Sequence, residues 1–116
     1  MPWYHYVSYV FGGLFLANAV PHWVSGVMGR PFQSPFAKPP GEGLSSSTVN
    51  VLWGGANLLV GYVLVFHVGA FDVRNVVDVS AVFVPAFGLS VMCARMFGRF
   101  HGGNEPLAQQ QNPRRT

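Results

Sequence analysis

The chain has 116 residues, half of them hydrophobic and only 9% charged, with a formal net charge of +3. A soluble domain this small exposes a large surface and carries about 25% charged residues to cover it, so an ordinary soluble fold does not fit. The single cysteine, Cys93, excludes an internal disulfide framework, and so small and dispersed a positive charge gives no footprint for nucleic acid.

The charges gather between three long apolar blocks. The pattern predicts an all-α membrane protein, with three transmembrane helices in a small up-down bundle. The first helix is expected over 4–28. It opens on Trp3, Tyr4, His5 and Tyr6, aromatic residues that favour the headgroup level. Pro21 lies inside it and predicts a kink by freeing the carbonyl of Ala17. Gly29 and Arg30 close it, a glycine for the left-handed position and a cation for the negative end of the dipole.

Residues 29–48 are expected as a Pro/Gly/Ser-rich cytoplasmic loop. Pro31, Pro35, Pro39, Pro40, Gly41 and Gly43 oppose a regular helix or a central strand. The repeated Pro-Phe pairs, 31–32 and 35–36, suggest rings resting in the headgroups. Any of Ser45, Ser46, Ser47 or Thr48 can cap the next helix.

That second helix, expected over 49–70, is the stretch around which the rest is arranged. It contains no Asp, Glu, Lys or Arg and is long enough to cross a bilayer. A short outer loop, 71–78, leads to a third helix over 79–97, with Asp78 at its start and Arg95 in its last turn. Phe97-Gly98-Arg99 echoes Met28-Gly29-Arg30 and reads as a second stop signal. Residues 98–116 carry almost no apolar side chains and read as a disordered polar tail.

Three spans place the 29–48 loop and the tail on one side of the membrane. That side holds Arg30, Lys38, Arg95, Arg99, Arg114 and Arg115, and the other holds Arg74. Basic residues stay inside, so the N-terminus is expected outside and the C-terminus inside, in a bacterial inner (plasma) membrane. Arg30, Arg95 and Arg99 serve as interface anchors.

Depth along the helices sorts the few polar residues in the spans. Asn18 and Asn57 fall just inside the midplane, Ser90 at a similar depth, and His22 a turn further in. Asn18, His22, Asn57 and Ser90 are therefore the candidate polar layer or ligand-binding group. Asn50, Asn57 and Gly61 share one helical face with Gly54 beside it, and Gly54 and Gly61 are the candidate helix-packing positions. His5 and His67 lie toward the outer face and match a bis-histidine haem site in depth alone. No catalytic pair, metal cluster or cofactor is expected.

The function expected is that of an interaction or accessory subunit of a membrane assembly, its partners the lipid bilayer and other membrane proteins or copies of itself. The alternatives are an oligomeric small-solute transporter or channel passing Asn18, His22 and Asn57, and a haem or quinone redox protein. Asp and Glu are absent from the three expected spans, which leaves His22 as the proton carrier of a coupled transporter.

Overall fold

A computed structural model describes residues 2–103. It contains three helices, α1 (Trp3–Val27), α2 (Ser47–Phe66) and α3 (Val76–His101), and a two-stranded hairpin of β1 (Phe32–Gln33) and β2 (Leu44–Ser45). All three helices are long and apolar enough to cross a membrane. At 26 residues, α3 reaches about 39 Å, beyond the roughly 30 Å of a hydrocarbon core.

Although α2 is the middle helix in sequence, α1 is the middle helix in space. It packs along both others, whereas α2 and α3 barely touch. Two adjacent glycines explain this. A Cβ on Gly12 would strike Val65 and the backbone of Gly61 in α2, and one on Gly13 would strike the backbone of Val82 in α3. Neighbouring helical positions point about 100° apart, so the Gly12-Gly13 pair lets two helices approach α1 at one level. Further along, Gly26 meets Ser47 and Val51, and Gly54 meets Trp23. The contacts ascend α1 as they descend α2, so these two helices run antiparallel.

The helix bounds differ from those read in the sequence, each for a local reason. α1 ends at Val27, and Gly29 takes φ 72° beyond it. Its amide bonds the carbonyl of Gly26, and that of Arg30 bonds Ser25, a reciprocal closure of the last turn. α2 begins at Ser47 because Ser46 accepts from the amide of Val49. It stops at Phe66, four residues before the apolar run does, and 67–69 form a bend. α3 begins at Val76 because the side chain of Asn75 accepts from the amides of Val77 and Asp78. It then runs through Gly98 to His101, and the glycine that closes it is Gly102, at φ 73°. The stop signal at Gly98 is overridden by packing. Phe97 and His101, one turn apart, both lie against Phe32. Residues 98–103 thus belong to α3 and its cap, while 104–116 of the expected tail lie outside the described residues.

The segment 29–46 folds back under the helices. Phe32 pairs with Ser45, and Gln33 with Leu44, in antiparallel register. The two Pro-Phe rings part company: Phe32 is buried and Phe36 is exposed. Only Phe36 is free to rest in headgroups.

Candidate functional site

At the hairpin end, one side chain holds three segments together. Asn50 is fully buried in the first turns of α2. Its amide nitrogen donates to the carbonyls of Phe32, Ser45 and Ser46 at 3.2, 3.1 and 3.0 Å. These bonds fix the amide orientation, so the Asn50 oxygen faces Nδ1 of His22 at 2.7 Å, and the imidazole N–H donates to it. The ring of His22 meets Phe32 and Trp53 edge-on. Phe32 in turn stacks parallel on His101, at 5.2 Å between centroids, and His101 Nε2 donates to Gln33 at 2.8 Å. A continuous polar and aromatic network therefore joins α1, α2, the hairpin and the last turn of α3.

One turn back along α1 from His22, Asn18 donates to the side-chain oxygen of Asn57 at 3.1 Å, and Asn57 donates to the carbonyl of Trp53 at 2.8 Å. This pair lies in the floor of a groove that α1 forms between α2 and α3. Toward the hairpin the groove widens into a chamber of about 440 Å³, walled by Asn18, His22, Gln33, Trp53, Phe97 and Arg99 among others. In the other direction it continues as an apolar cavity of about 240 Å³, along Phe11, Leu14, Phe15 and Leu89. Asn18 and Trp53 line both spaces.

The structure divides the four residues of the expected polar layer. Asn18 and Asn57 face each other, His22 bonds Asn50, and all three lie at the groove. Ser90 does not join them. It is exposed, donates to the carbonyl of Ala86 at 2.8 Å, and lines a separate depression between α1 and α3 with Cys93. Ser90 matches the layer in depth but sits on another face of its helix. Gly54 and Gly61 lie in the α1–α2 seam, where added Cβ atoms would strike the Trp23 backbone and the Leu16 side chain. Arg30, Arg95 and Arg99 are all exposed at the hairpin end. Arg99 also lies over the ring of Phe100 and lines the chamber mouth.

The opposite end contains a group that depth reasoning missed. Because α3 starts early, Asp78 falls inside its first turn and is fully buried. A carboxylate therefore does sit within one of the apolar helices, and His22 is not the sole candidate for carrying a proton. One Asp78 oxygen accepts from the amide of Asp72 at 3.1 Å, and the other has no hydrogen-bond partner. The hydroxyl of Tyr9 and Nδ1 of His5 are likewise buried and unpartnered. Both press on Gly69, where a Cβ would come within 2.7 Å of each.

His67 shares a 2.9 Å hydrogen bond with Tyr62. Among the described residues, no three His, Cys, Asp or Glu side chains converge. What the geometry offers chemically is a groove between the long apolar helices, polar at one end and apolar at the other, with amide, indole, imidazole and guanidinium groups on its polar walls. No family model, no curated protein and no solved structure matches the chain.

Proposed function

We propose that this chain is a three-span protein of a bacterial inner membrane, with its N-terminus outside and its C-terminus inside, that serves as an interaction subunit of a larger membrane assembly. The orientation rests on Arg30, Lys38, Arg95, Arg99, Arg114 and Arg115 at one side against Arg74 at the other.

The observation that carries the interaction reading is a pair of helical glycines that no other described part of the chain approaches. Gly55 in α2 and Gly88 in α3 would each accept a Cβ that meets nothing within 4 Å beyond the turn of helix it stands on. Gly12, Gly13, Gly26, Gly54 and Gly61 are all explained by helices that crowd them. A glycine inside a helix destabilises it by about 1 kcal/mol relative to alanine. In membranes, small residues let a partner's backbone come close, and packing supplies the attraction. α3 supports the reading, since it is held along one edge only and leaves most of its surface uncovered. The partner is a second copy or another membrane protein.

The test is association of the full chain in nanodiscs, read by native mass spectrometry and by co-purification from its membrane. Gly88→Leu is expected to keep the helical content and thermal stability of the wild type and to lose the partner. A wild-type chain that is monomeric and brings nothing with it would sink the reading. So would a Gly88→Leu variant that still associates.

One observation favours a second reading, an oligomeric transporter or channel. The Asn18–Asn57 pair and His22 lie in a groove open to the side. Two copies set groove to groove would enclose a polar path that a single copy does not.

A further inference from the structure

The groove between α2 and α3 is graded along its length in the manner of a membrane lipid, and we infer that it holds one phospholipid with a phosphoethanolamine headgroup. The head would occupy the chamber at the hairpin end, and one acyl chain would lie along the apolar cavity toward the membrane centre.

Four observations carry this, none of them used by the interaction reading. The first is continuity. The chamber of about 440 Å³ and the apolar cavity of about 240 Å³ share Asn18 and Trp53 on their walls, so one elongated molecule fits both. The second is charge. The mouth of the chamber carries one side chain of each sign, Arg99 and Glu42. Arg99 suits a phosphate, and Glu42 accepts hydrogen bonds from a primary ammonium. A purely anionic head would meet the Glu42 carboxylate, and a quaternary ammonium has no N–H to donate to it.

The third observation is an unused donor. The indole Nε1 of Trp53 is buried and has no hydrogen-bond partner among the described residues. Trp53 lines both spaces where the chamber narrows into the apolar cavity, the level at which the ester carbonyls of a lipid lie below its phosphate. A turn of the ring toward the chamber would give the covered N–H a carbonyl acceptor there and remove the penalty of leaving it unpaired. The fourth is that the two amides of the floor bond each other and the backbone. Asn18 donates to Asn57, and Asn57 to the Trp53 carbonyl, which lowers the polarity that the floor presents to a passing acyl chain.

The experiment offers detergent-solubilised full chain phosphatidylethanolamine, phosphatidylglycerol or phosphatidylcholine with identical acyl chains, and counts bound lipid by native mass spectrometry. The expected result is one phosphatidylethanolamine per chain, retained preferentially over the other two. Arg99→Gln should weaken retention about tenfold, and Trp53→Phe about fivefold. Trp53→Phe keeps a ring against Phe36 and His22, and Arg99 is exposed, so both variants preserve the fold. A lipid brominated on one acyl chain should also quench Trp53 in a chain carrying Trp3→Phe and Trp23→Phe. The proposal is overturned if phosphatidylethanolamine is not preferred over either other lipid, or if neither variant changes its retention. It is equally overturned if cross-linking finds a partner helix seated in the groove. Retention in monomeric chain separates this result from the association test.

Discussion

Asn50 at one end of the bundle and Tyr9 and Asp78 at the other are equally buried and are treated in opposite ways. At the hairpin end, Asn50 is fully buried and every bonding group on its amide is engaged, with His22 and three backbone carbonyls. At the other end, Tyr9 and Asp78 are equally buried, yet the Tyr9 hydroxyl and one Asp78 oxygen face no partner. A buried polar group that is satisfied ties elements together, whereas an unsatisfied one subtracts from stability. The hairpin end is thus the fastening of the molecule. The other end carries stored penalty, which natural proteins tolerate mainly where a group has work to do.

The strongest way to break this contrast is Asn50→Leu. It strands Nδ1 of His22 and removes the side-chain bonds to the carbonyls of Phe32, Ser45 and Ser46, the last of which keeps the backbone amide of residue 50, and is expected to destabilise the chain by about 3 kcal/mol. Thermal unfolding in detergent would measure it. A loss below that of an ordinary surface substitution would mean that the hairpin is held by its aromatic contacts instead. Asp78→Asn sharpens the other side of the comparison. The amide oxygen keeps the bond from Asp72, and the change removes the buried carboxylate oxygen that has no partner. The same assay should show a gain of about 1 kcal/mol. A loss of that size would show that the carboxylate serves as a bonded anchor, and the contrast between the ends would disappear. The smallest effect belongs to the Asn18–Asn57 pair. A double-mutant cycle of Asn18→Leu and Asn57→Leu should give a coupling of about 0.6 kcal/mol, the usual scale of hydrogen bonds between membrane helices. A coupling of zero would mean that the two amides do not meet.

Much of the fold was legible because exclusion of charge is a strong signal over a long run. Three segments lack enough charged residues to face water, and three long apolar helices result. Position along the helices was legible for Asn18 and Asn57, which meet at one level of α1 and α2. Direction around the helix axis was legible for α2, whose Asn50, Gly54, Asn57 and Gly61 share the buried face, but not for α3. Asn18 and Asn57 meet while Ser90, at the same level, turns away, because nothing in the local sequence states which face of α3 meets α1. A signal for the central place of α1 was nonetheless present in Gly12-Gly13, two small residues a helical step apart. The hairpin left no strand signature. Its paired segments are two residues each, and they are held by the side chain of Asn50 rather than by propensity. Gly98 shows the same override at a helix end. A residue that stops helices elsewhere is carried through because Phe97 and His101 have Phe32 to pack on.

The sandwich around Phe32 also imposes an order on biosynthesis. A chain leaving the ribosome presents α1, the hairpin and α2 before α3 exists, and domains generally fold from the N-terminal side during synthesis. The α1–α2 seam and the bonds of Asn50 need nothing from α3, so they are available to form early. The outer faces of Phe32 and Gln33 are covered only when Phe97 and His101 arrive. A ribosome that stalls or a chain that is cut before His101 leaves behind a paired helical hairpin with an aromatic ring uncovered, a surface by which quality control can tell an unfinished molecule from a finished one.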